Sequence, residues 1–153
     1  MVVSWMYEET IKVHERCLAG RMKVLGEDYR QTLDTLNNLG AVYRMLGNYE
    51  KALECLERAL TGYEKLLGKN HPGTLGTVMN IAIIYDARKD YGKSEELFER
   101  VLKGYEAQFG KDHKRTKHCP KNFKIFLEAS GNSSERRAEL ITSYPGLAFE
   151  EVD

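Results

Sequence analysis

The chain has no net charge, because 23 lysines and arginines are matched by 23 aspartates and glutamates. Without a surplus of either sign there is no global field to gather phosphate backbones or an acidic bilayer, so neither nucleic acid nor membrane is expected as a partner. Cysteine is scarce as well: Cys17, Cys55 and Cys119 are far apart and outside any Cys-x-x-Cys or Cys/His ligand spacing. That excludes a disulfide framework and reads as reduced thiols in a cytoplasmic protein. No apolar run reaches the roughly 18 residues that a membrane helix needs, and Met1 to Glu9 is too acidic and interrupted for a secretory leader.

Signatures of catalysis are also missing. The sequence contains no GxxxxGK[ST], no GxGxxG after a strand, no HExxH and no GxSxG, and its cysteines lack an activating context. Paired acids such as Glu8-Glu9 and Glu95-Glu96 fall on helix faces expected to meet solvent. His71 and His113 open successive copies of a repeat, which would hold them about 10 Å apart on helix-packing distances, too far to share a metal ion. They read as turn residues. No catalytic residue, metal ligand or cofactor is expected.

What is present is a helical pattern that returns. Leu39-Gly40, Tyr43, Gly47, Tyr49, Ala52, Leu56 and Ala59 fit two antiparallel helices joined at Gly47-Asn48, with the small residues where the helices approach closely. A shift of 42 residues carries Tyr43 to Tyr85, Tyr49 to Tyr91, Leu56 to Phe98, and Leu67-Gly68 to Phe109-Gly110. Such self-similarity marks stacked repeats, each too small to bury its apolar face alone.

In that frame Met6 to Leu25 is a second helix without its first, with Trp5 in the turn position held by Gly47 one period later. Its exposed face predicts either continuation in a longer array or self-association. The expected helices are then 30–46, 49–67, 72–89, 91–109, 114–129 and a short polar 135–143. Asp28, Asn70 and Asp112 are read as N-caps, and Pro72 sits in a first turn. Pro120 predicts a weakened turn inside the third copy. The expected organisation is one all-α domain, 1–146, holding a half repeat (5–26) and repeats 28–68, 70–110 and 112–144. A tail, 147–153, follows.

These residues, with the extended turn Tyr63-Glu64-Lys65-Leu66-Leu67-Gly68-Lys69-Asn70-His71-Pro72, resemble the tetratricopeptide repeat in its 42-residue form. That form is found in kinesin light chains, nephrocystin-3 and fungal NACHT and NB-ARC receptor arrays. The resemblance implies a right-handed superhelix of about seven helices whose concave groove binds a protein or peptide ligand. It also implies that an asparagine from successive first helices contacts the ligand backbone, and Asn38, Asn80 and Asn122 stand at the matching places.

An amide side chain both donates and accepts, so a ladder of them can satisfy an extended backbone without reading its sequence. The same ladder could instead brace neighbouring helices. The expected groove lining is Asn38, Ala41, Arg44, Met45, Asn80, Ile83, Asp86, Ala87, Asn122, Ile125 and Glu128, with Arg44 making one end basic and Asp86 and Glu128 the other acidic. The alternative role is an oligomerisation or regulatory arm of a larger receptor, a homo-oligomer formed through the N-terminal half repeat.

Overall fold

The computed structural model describes residues 2–114 and residue 116. Five helices account for them: α1 (Val2–Leu25), α2 (Arg30–Met45), α3 (Tyr49–Leu67), α4 (Pro72–Ala87) and α5 (Tyr91–Phe109). Each packs on the next in order, and α2 also touches α4. The helices expected at 114–129 and 135–143, with Pro120 and the tail, lie outside the described residues apart from Lys114 and Thr116.

Local chemistry sets the helix ends. Asn48 and Asp90, one period apart, accept from the backbone N–H of Lys51 and Lys93 and so cap α3 and α5. Gly47 takes φ 78° in the α2–α3 turn, and Lys89 is forced to φ 63° at the equivalent place, a left-handed conformation that costs a side-chain-bearing residue about 1–2 kcal/mol. Glycines 26, 68 and 110 close α1, α3 and α5 with positive φ.

Four expectations are corrected. Trp5 lies inside α1 rather than in a turn, because the helix begins at Val2 and runs through it. The cap of α4 is His71, whose Nδ1 accepts from Gly73 N–H at 3.0 Å, rather than Asn70. At the start of α2 the cap position belongs to Tyr29, which makes no side-chain cap bond, so Asp28 does not serve. Helix α4 stops at Ala87 rather than Lys89, since Lys89 has already left the helical region.

The core is built of leucines meeting small residues. Leu33, Leu36, Leu56 and Ala59 are fully buried between α2 and α3, and Leu75, Val78 and Val101 between α4 and α5. A Cβ added at Gly40 would lie 2.6 Å from Leu56 Cγ, so the expected close approach at Gly40 is real. Gly62 is a tighter notch that the sequence reading missed: a Cβ there would fall 2.2 Å from Leu33 Cδ2. Gly104 repeats it one period on, 2.7 Å from Leu75 Cδ2. Where Ala52 gives way to Ser94, the buried hydroxyl donates to the Ala82 carbonyl at 2.9 Å, which satisfies a polar atom the interior would otherwise penalise.

Hydrogen bonds and ion pairs tie one hairpin to the next. Thr77 Oγ1 donates to Asn37 Oδ1 at 2.9 Å between α4 and α2, and Arg100 of α5 pairs with Glu64 of α3, while within one hairpin Tyr63 of α3 donates to Asp34 of α2. Arg58 and Glu27 form an ion pair at 2.7 Å on a more exposed surface.

Candidate functional site

Buried positions on α2 (Leu33, Leu36, Leu39, Gly40, Tyr43) and on α4 (Leu75, Val78, Ile81, Ala82) point toward the partner helices α3 and α5. Helical spacing then places Asn38, Ala41 and Met45 on the opposite side of α2, and Asn80, Ile83 and Ala87 on the opposite side of α4. Since α2 and α4 are neighbours, these residues share one surface. Eight of the eleven expected lining residues are described; Asn122, Ile125 and Glu128 lie outside the described residues.

The two described amides differ from the alternative reading of the ladder. Asn38 is exposed and Asn80 half-buried, and neither is hydrogen-bonded among the described residues. The bracing role falls to the adjacent Asn37, whose side chain reaches Thr77. One residue along a helix turns the side chain by about 100°, enough to move an amide from the seam between helices to the open face.

Apolar contact on that face comes from Ala41, half-buried Ile83 and exposed Met45. Arg44 is half-buried, and its Nε is covered yet has no hydrogen-bond partner among the described residues. A guanidinium N–H left unpaired away from water costs about 1–3 kcal/mol, which an incoming carboxylate or carbonyl would recover.

A concavity of about 320 Å³ lies elsewhere, between α1 and α3 above α2, and sequence reasoning missed it. Glu15, Leu18, Met22, Leu39, Tyr43, Lys51, Glu54 and Cys55 are among its walls. Cys55 occupies the place that Leu97 fills in the next copy, and the smaller side chain leaves the space; the 42-residue comparison carried that signal. Tyr43 donates to Glu15 at 2.6 Å, and burial followed by this bond holds its hydroxyl far above the ordinary range. Burial likewise pushes the Cys55 thiol up, so it stays protonated and is a poor nucleophile. Among the described residues no cluster of three or more His, Cys, Asp or Glu could hold a metal ion. Nor is any described helix long and apolar enough to cross a membrane.

A stack of helix hairpins with its chemistry on the faces of the first helices is the architecture of a repeat scaffold. The tetratricopeptide repeat family model matches residues 6–65 and 45–107, and the chain belongs to that family. Among solved structures it is similar to a kinesin light chain-like protein of Podosopora anserina with nearly identical TPR-like repeats, at TM-score 0.73 and 20% identity over 97% of this chain and 72% of that one. A point variant of the same protein gives TM-score 0.72 at 19% identity, covering 94% and 73%. BtubC (BKLC) from P. vanneervenii matches at TM-score 0.71 and 17% identity, over 97% of this chain but only 61% of its own length. These likenesses show that the chain shares the stacked-hairpin fold of those repeat proteins. No curated protein matches the chain.

Proposed function

We propose that the chain is a non-enzymatic scaffold that holds an extended or helical segment of a partner protein against the open face of α2 and α4. In this reading the hairpins stack into a right-handed superhelix and that face is its concave groove. Asn38 and Asn80 grip the ligand backbone, Met45 and Ile83 supply adaptable apolar contact, and Arg44 takes an acidic group.

The observation that carries the proposal is the contrast between Asn37, which is spent on Thr77, and Asn38, which faces outward with no internal bond. A short array offers little area, so a lone peptide should bind with micromolar affinity. The test compares partner recovery by the wild type and an Asn38→Ala/Asn80→Ala variant, with circular dichroism on both. Folding should be unchanged, because neither amide supports the core, while recovery falls about tenfold. Equal recovery of every partner would sink the amide ladder.

A second reading, self-association through the N-terminal half repeat, is favoured by the apolar outer face of α1, where Met6, Val13 and Val24 are exposed.

A further inference from the structure

The concavity between α1 and α3 lies apart from the groove on α2 and α4, on the side of α1 that meets the following hairpin. One period on, Glu15, Leu18 and Met22 become Glu57, Leu60 and Glu64 of α3. There Leu60 packs on Leu75, Val78 and Val101, and Glu64 pairs with Arg100 of α5. The concavity is therefore a seam inside the stack, and the exposed outer stripe of α1 has no part in it.

Two exchanges open this seam. Between α3 and α5, Leu97 packs against the core, and Glu64 and Arg100 pair across the gap. Between α1 and α3, Cys55 stands in place of Leu97 and Met22 in place of Glu64. The filling side chain is shorter, and Arg58, the equivalent of Arg100, turns to Glu27 at 2.7 Å instead. What remains is a space of about 320 Å³ with apolar walls from Leu18, Met22, Leu39 and Cys55. That is the small end of ligand-sized pockets, enough for one side chain.

The charge around it is one-sided. Glu15 on α1 and Glu54 on α3 both line the space and are exposed, and neither has an ion-pair partner among the described residues. Tyr43 takes one acceptor position of Glu15, and a carboxylate offers about four. Against these two acids stands Lys51, whose ammonium lies 5.4 Å from the centre of the Tyr43 ring. Arg58 is already matched by Glu27, so the walls carry one surplus negative charge. An apolar slot rimmed by acids suits an alkyl stem that ends in a cation, since the stem is buried while the head stays wet. A compact ammonium with three rotatable donors can serve two acids on different helices, whereas a guanidinium fork matches a single carboxylate.

We infer that this pocket receives a lysine side chain of a protein partner, at a site separate from the groove of α2 and α4. The stem takes the space that Leu97 fills in the next hairpin, and the ammonium sits between Glu15 and Glu54. One side chain in so small a site should bind in the millimolar range by itself and add to the affinity of the segment that carries it.

A two-dimensional ¹H–¹⁵N NMR titration of the 153-residue chain with Nα-acetyl-lysine N-methylamide tests this. Backbone amides around Leu18, Met22, Tyr43 and Cys55 should shift with a millimolar midpoint. Norleucine capped in the same way has the stem without the ammonium and should bind about fivefold more weakly. Glu54→Gln, at an exposed position, should weaken the lysine compound by about the same factor and leave the norleucine compound unchanged. Cys55→Leu restores the side chain of the next hairpin and should abolish binding, with circular dichroism showing an intact fold; Glu54→Gln decides the matter if that variant does not fold. Equal binding of the lysine and norleucine compounds overturns the cationic occupant. Binding of pentylamine without binding of the capped lysine overturns the protein source in favour of a free amine. Amides that do not shift, or shifts that survive in a folded Cys55→Leu variant, overturn the pocket itself.

Discussion

A single methyl group should act with opposite sign at two positions one repeat apart. Gly62 and Gly20 share a register in α3 and α1. In an unobstructed helix interior, replacing glycine by alanine gains about 1 kcal/mol of helix propensity. At Gly20 nothing lies within 4 Å of the new Cβ, so Gly20→Ala should realise that gain.

At Gly62 the Cβ falls 2.2, 2.8 and 3.1 Å from Leu33 Cδ2, Cδ1 and Cγ, well inside the carbon–carbon optimum of about 3.5–4.0 Å. All three atoms belong to one fully buried side chain, so rotating Leu33 does not clear the space. Overpacking of this kind costs about 1–3 kcal/mol, which exceeds the propensity gain in most of its range. Gly62→Ala should therefore destabilise by up to about 2 kcal/mol, and the two variants should differ by about 1–3 kcal/mol. Urea titrations followed by far-ultraviolet circular dichroism at low micromolar concentration measure both. Truncating Leu33 in the Gly62→Ala background should cost less than Leu33→Ala does in the wild type, since the methyl then has room. If both glycine variants gain stability equally, the notch is not a close contact and the packing argument fails.

The repeat supplies a second internal control in Thr32 and Thr74, again one period apart. Thr74 donates to Gly68 O at 2.8 Å, while the equally buried Thr32 hydroxyl has no partner among the described residues. Thr74→Val should cost about 1–2 kcal/mol and Thr32→Val should be neutral or stabilising in the same titration; equal losses would refute the assignment. Alkaline pH should weaken the fold through Tyr43 and Tyr63. Burial first, then the bonds to Glu15 and Asp34, raise both hydroxyls above their ordinary value of 10.0, so the native state keeps protons that the unfolded chain releases. Stability is full below about pH 10 and falls as pH rises beyond it. The Tyr43→Phe/Tyr63→Phe variant should start less stable at pH 8 yet lose less by pH 11, and identical slopes would exclude the two tyrosines.

The helix pairs were legible because their signals are local. Tyr49–Leu67 and Tyr91–Phe109 emerged with the bounds the structure shows, since an apolar stripe and a glycine stop lie within a few turns of each other. Gly40 was legible too, as a small residue opposite Leu56 and Ala52 in the same hairpin. Trp5 was misplaced because strict periodicity put a turn there, while nothing in Val2 to Met6 breaks a helix. The caps Asn70 and Asp28 were misassigned by one residue, a shift that depends on where the extended backbone turns in.

Period, hairpin, turn chemistry and the neutral surface were thus determined by the amino-acid order itself, because each depends on residues within a turn or two or on comparison across 42 positions. The tertiary structure decided how each helix is rotated about its own axis. That rotation sends Asn37 inward to Thr77 and Asn38 outward, and aims Leu33 into Gly62. It is set by the fit of side chains from segments distant in the chain, and at about 100° per residue an adjacent position lands on a different face.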